Sequence, residues 1–178
     1  MSLRMTIVAG TVLFFAASAN AMDLRSVEMA QGASLATEQV HSKCGGQNIS
    51  PSLAWSGAPA AARSFALTVF DPDAHGTGWW HWVVFDIPAS ATALPKGAGS
   101  GGATMPTGTI QGTNDFGDSA YGGACPPPGS GLHHYEFTLW ALDTPTIPFD
   151  ATVTGGKIGP WLQSHAIAKA QLIPVLER

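Results

Sequence analysis

From Ser64 the chain reads Phe65, Ala66, Leu67, Thr68, Val69, Phe70 with hardly a polar break and stops at Asp71-Pro72, the pattern of a strand buried on both faces. Trp82-Val83-Val84-Phe85-Asp86-Ile87 repeats it and ends at Pro88. From Tyr135 the period is two. Tyr135, Phe137, Leu139 and Ala141 share one face and Glu136, Thr138, Trp140 and Leu142 the other, which predicts a third strand. Short apolar runs punctuated by Pro and Gly describe a mainly β protein. Lys96 to Gly117 carries no hydrophobic period and reads as a long surface connection. Near the end Pro160 suits a first helical turn, and Trp161, Leu162, His165, Ala166, Lys169 and Ala170 predict one short helix. A closing strand over Leu172 to Leu176, interrupted by Pro174, belongs near an edge.

The first residues follow a different rule. Arg4 precedes an apolar run from Ile7 to Ala17 that closes on Ala19-Asn20-Ala21, a pattern that predicts a signal peptide over 1–21, with the exported protein starting at Met22. A buried N-terminal helix is the alternative. The run is short for a membrane span and no later stretch is long enough, so no integral span is expected. Residues 22–178 are then expected to form one domain, periplasmic or secreted. Losing Arg4 takes the formal net charge from −4 to −5, which argues against nucleic acid as a partner. A homodimer is compatible with the sequence. Cys44 and Cys125 both lie in the exported part, where a disulfide and a pair of small buried thiols are both open to them.

Two segments carry candidate chemistry. In Asp71-Pro72-Asp73 the carboxylates are two residues apart across a proline, so in an extended chain both face one side and one pocket. The same residues also suit Asx turns that satisfy loop N–H groups. His81 follows among Trp79, Trp80 and Trp82. It is either a satisfied core histidine or an imidazole held by a nearby carboxylate. His133 and His134 should point to opposite sides of a strand, and His133 shares its side with Tyr135. Gly122-Gly123-Ala124-Cys125 offers consecutive N–H groups for an anion nest, or simply a tight turn, and Pro126-Pro127-Pro128 stiffens it.

These motifs, with Cys44-Gly45-Gly46-Gln47-Asn48-Ile49-Ser50-Pro51, Asn114-Asp115-Phe116-Gly117 and His133-His134-Tyr135, resemble the phosphatidylethanolamine-binding protein family, and its bacterial Raf-kinase-inhibitor-like branch in particular. The resemblance covers nearly all of residues 22–178. It implies an antiparallel β-sandwich with an end-of-sheet ligand pocket for phosphate-like or carboxylate groups, placed here at Asp71, Asp73, His81, Pro126, Pro127, His133 and Tyr135. One position departs: His75 stands where the family usually has proline.

The expected function is binding without turnover, with no cofactor and no metal. Asp71 and Asp73 would orient His81 and His133, which donate to the anion together with the N–H groups around Gly123. Inhibition of a kinase or protease is compatible with the same fold. A metal-dependent hydrolase using the His and Asp side chains is the alternative, although the spacing matches no metal signature.

Overall fold

The computed structural model describes residues 21–178, so the leader expected over 1–21 lies, apart from Ala21, outside the described residues. The strands are β1 (Asp23–Arg25), β2 (Leu53–Ser56), β3 (Ser64–Asp71), β4 (Trp79–Pro88), β5 (Ala93–Leu94), β6 (Ile110–Gln111), β7 (His133–His134), β8 (Glu136–Leu142), β9 (Ala166–Leu172) and β10 (Val175–Leu176), with one α-helix among the described residues, α1 (Gly155–His165). Every strand pairing is antiparallel. A five-stranded sheet in the order β6-β4-β3-β8-β9 faces a three-stranded sheet, β1-β2-β5, while β10 and β7 form a short ribbon.

Alternation along the central strands divides the core in two. Phe65, Leu67 and Val69 of β3 with Phe137, Leu139 and Ala141 of β8 pack toward Leu24, Leu53, Trp55 and Leu94 of the smaller sheet. Ala66, Val83, Phe85, Trp140 and Leu142 face the other way, where Ile158 and Leu162 of α1 cover them. The three main strands and the mainly β sandwich therefore follow the sequence expectation.

The C-terminal region corrects it. The helix starts at Gly155 rather than Pro160 and stops at His165, with Pro160 inside it. Ala166 to Leu172 is the edge strand β9, paired along β8. Apolar positions at 166, 168, 170 and 172 obey a period of two as well as fragments of the helical spacing, and a free edge of hydrogen-bonding groups on β8 selects the strand. The closing strand is only Val175–Leu176, since Pro174 donates no N–H and its own carbonyl accepts from Tyr135 N at 2.9 Å. No helix among the described residues is long and apolar enough to cross a membrane.

A register irregularity on β4 matters most for the site. Val69 pairs with Trp82 and Phe70 with Trp80, so His81 is an extra residue with no partner on β3. Such a bulge re-aims a side chain. Here it buries His81 beside Trp82 at the end of the strand.

Candidate functional site

The cavity at this end of the sheet has a volume of about 270 Å³ and is lined by Asp71, Ala74, His75, Trp79, His81, Phe116, Cys125, Pro126, Pro127 and His133. Of the residues expected there, Asp71, His81, Pro126, Pro127 and His133 meet on it. Asp73, Gly123 and Tyr135 do not line it.

Asp71 ends β3 and uses both carboxylate oxygens. Oδ1 accepts from the N–H groups of Asp73 at 2.9 Å and Ala74 at 3.2 Å, while Oδ2 lies 2.7 Å from His133 Nδ1. The Asx-turn and histidine-holding readings are thus both realised. Both side chains of this pair are almost wholly buried. His133 Nε2 lies 2.9 Å from Ser130 Oγ, whose proton goes to the Pro127 carbonyl at 2.7 Å. Ser130 is then left accepting from Nε2–H, so both ring nitrogens of His133 are engaged within the protein. The ring braces the wall of the cavity and has no donor to spare for a ligand.

Asp73 lies one peptide beyond the proline but faces outward. Its Oδ2 meets His134 Nδ1 and the His134 N–H, each at 2.8 Å. The turn closed by Asp71 Oδ1 breaks the extended conformation that would have placed both carboxylates on one side. Burial raises the Asp73 pKa, but hydrogen bonds from the His134 side chain and backbone outweigh it and hold the carboxyl below its ordinary range.

Three of the four N–H groups of the expected nest are already taken. Gly122 N donates to the His81 carbonyl at 2.8 Å, Gly123 N to Asn48 Oδ1 at 2.7 Å, and Ala124 N to the Gln39 carbonyl at 3.1 Å. Gly123 is required for close approach instead, because a Cβ there would collide with the backbone of Gln39, Val40 and His41. Tyr135 is buried on the sandwich side, its ring 5.1 Å from that of His81 in an edge-on arrangement. Its hydroxyl has no hydrogen-bond partner, and burial, reinforced by Asp71, pushes its pKa up so that it stays protonated.

His81 is therefore the polar centre of the cavity. Its Nδ1 lies 2.9 Å from the Gly122 carbonyl. A carbonyl only accepts, so Nδ1 carries the proton and Nε2 is the free position. Burial lowers the His81 pKa, against the opposing pull of the Gly122 carbonyl and Asp71. The neutral ring presents Nε2 as an acceptor, which reverses the donor role expected from sequence.

Phe116, which the sequence offered only as part of the Asn114-Asp115-Phe116-Gly117 motif, is the aromatic plate of the site. It stacks on His41 at 4.6 Å and stands edge-on to Trp79 at 5.3 Å and His81 at 5.5 Å. Asn114 fixes its loop, with Oδ1 accepting from the N–H groups of Phe116 at 2.9 Å and Asp118 at 3.0 Å, and Nδ2 donating to the Ala120 carbonyl at 2.8 Å. Asp115 joins that loop to β4 by accepting from Trp80 N at 2.7 Å. Asn followed by Asp and Gly was the available signal.

The opposite wall is covalently tied. Cys44 and Cys125 are bonded, with Cα atoms 5.6 Å apart, which decides between the two states open to them. The C-terminal Arg178 donates to the Pro126 carbonyl at 3.2 Å, and Gly129 N donates to the Arg178 carbonyl at 2.8 Å. Among the described residues no group of three or more His, Cys, Asp or Glu side chains is arranged to hold a metal ion.

Comparison with known proteins places these features. The family model described as phosphatidylethanolamine-binding protein matches residues 25–176. The chain is 49% identical over 179 residues to the UPF0098 protein YbcL of Escherichia coli K12, covering 97% of this chain and 98% of that one. It is 44% identical over 154 residues to the UPF0098 protein YbhB of the same organism, covering 85% and 97%. The crystal structure of Escherichia coli YbcL, described as a new member of the mammalian PEBP family, superposes with a TM-score of 0.85 at 48% identity, covering 88% of this chain and 98% of that one.

Proposed function

This chain belongs to the phosphatidylethanolamine-binding protein family, and from that premise we propose that it is an exported, non-enzymatic binding protein that holds a small phosphate- or carboxylate-bearing ligand in the cavity at His81. One observation carries the reading: a buried imidazole, turned inward by a bulge, keeps one ring nitrogen without a protein partner at a cavity whose apolar walls include Trp79, Phe116, Pro126 and Pro127. Few polar groups in an apolar, pre-formed cleft are the usual design of a small-ligand site. Export is supported by the leader pattern before Met22 and by the Cys44–Cys125 bond, which belongs to an oxidising compartment.

The test is titration calorimetry of the mature protein with inorganic phosphate, phosphoethanolamine and acetate, repeated on His81→Ala and on His134→Ala. Saturable binding that His81→Ala abolishes and His134→Ala preserves is the expected outcome. Equal binding by His81→Ala would place the ligand elsewhere.

A further inference from the structure

The cavity's hydrogen-bonding inventory specifies more than a ligand class. With the N–H groups of residues 122–124 taken, His133 engaged at both nitrogens and Asp71 at both oxygens, the buried polar side-chain atom left open on the cavity is the acceptor His81 Nε2, while the Trp79 indole and the His75 ring stand at its exposed rim. A fully ionised phosphate or carboxylate offers only acceptors, so its oxygen would meet the Nε2 lone pair. No lysine or arginine lines the cavity to offset a second negative charge.

The groups around the His81 ring do not supply the missing proton. Asp71 at the end of β3 and Asp115 on the loop after β6 are carboxylates acting on it through space. Tyr135 presents its ring edge-on, His133 is tied to Asp71, and His41 lies beyond Phe116 with Nδ1 accepting from Lys43 N. His75 stands on the lining, and Arg178 lies behind the wall on the Pro126 carbonyl.

Resting on the function proposed above, we propose that the ligand is bound together with one proton, as the monoanion of a phosphomonoester whose P–OH donates to His81 Nε2. The proton comes from solvent whenever the free ligand is a dianion. A phosphomonoester loses its second proton near pH 6. Above that pH each further unit costs roughly tenfold in affinity, because one proton must be taken up per ligand bound. Phosphodiesters, including intact phospholipid headgroups, and simple carboxylates lack that proton and bind weakly.

The experiment is calorimetry with phosphoethanolamine at about pH 7.5 in two buffers of different ionisation enthalpy, where nearly the whole free ligand is dianionic. Glycerophosphoethanolamine serves as the diester bearing the same headgroup, and acetate as the carboxylate. The proposal expects uptake approaching one proton per phosphoethanolamine at that pH and, with affinities compared at about pH 6 where about half the free phosphomonoester is the monoanion, at least about tenfold weaker binding of the diester and of acetate. Phosphoethanolamine binding without proton uptake, or a diester or acetate that binds as tightly, overturns the proton coupling while leaving the ligand site in place. Failure of every probe to bind overturns the site as well. The proton count is read on the native protein, so it does not depend on a His81 variant folding. His134→Ala should return the same count.

Discussion

Removing the Asp71 carboxylate and removing the Asp73 carboxylate, two residues away, should have very different consequences. Each meets a histidine at hydrogen-bond distance, 2.7 Å for Asp71–His133 and 2.8 Å for Asp73–His134. Environment separates them: side-chain exposure is 4% and 3% in the first pair against 39% and 48% in the second. Asp71→Ala leaves His133 Nδ1 without its partner in a dry setting and releases the N–H groups of Asp73 and Ala74, so the cost should be about 3–5 kcal/mol. Asp73→Ala breaks a solvated pair and one backbone bond and should cost about 1 kcal/mol or less. Asp71→Asn should recover part of the loss, because an amide can donate to Nδ1 of a neutral ring that still donates from Nε2 to Ser130. Urea unfolding followed by the fluorescence of the six tryptophans measures all three. An Asp71→Ala cost no larger than that of Asp73→Ala would refute the assignment of the buried pair as the brace of the cavity.

Three further outcomes follow from the same geometry. Gly123→Ala should destabilise by about 1–3 kcal/mol by forcing a Cβ into the backbone of Gln39, Val40 and His41, and a urea midpoint matching the parent would contradict that contact. Reducing the Cys44–Cys125 bond, which spans 81 residues, should lower stability by up to about 4–5 kcal/mol in the chain-entropy account; unfolding with and without reductant measures it, and thiol alkylation should label neither cysteine beforehand. His81 is held neutral in the fold, so the unfolded chain binds the extra proton: its contribution is intact above the ordinary value of 6.5 and is lost as pH falls below that. Burial also lowers the His41 pKa, so the His81 share is the difference in pH slope between the parent and His81→Phe, and identical slopes would disprove a buried neutral ring.

Where side-chain periodicity is strong, the sequence was readable. The inward face Tyr135, Phe137, Leu139, Ala141 and the abrupt ends at Asp71 and Pro88 locate the central strands because pleat and turn chemistry are local properties. His133 inside and His134 outside followed from the same alternation. The site was legible as an address and less so as a mechanism. Asp73 turns outward because Asp71 Oδ1 captures its N–H, a choice that depends on what else Asp71 meets. The glycines at 122 and 123 read as a nest because their freedom is visible in sequence, whereas the acceptors that take its first three N–H groups come from residues 39, 48 and 81, far along the chain. The His81 bulge is invisible for a related reason: an extra residue on one strand is defined only by its neighbour's register. Phe116 takes its role from a loop folded onto β4, and the Ala166–Leu172 edge strand from an available partner in β8.

The central claim is that His81 meets the ligand through an unprotonated Nε2, and nitrogen NMR of the histidine rings tests it most directly. In the ligand-free protein near neutral pH the account predicts one ring protonated at Nδ1 and bare at Nε2, identified by its loss in His81→Phe, with the Nε2 resonance moving on addition of phosphoethanolamine while Nδ1 stays bonded to the Gly122 carbonyl. A His81 ring that carries its proton on Nε2, or one whose resonances stay unchanged under saturating phosphoethanolamine, would contradict it.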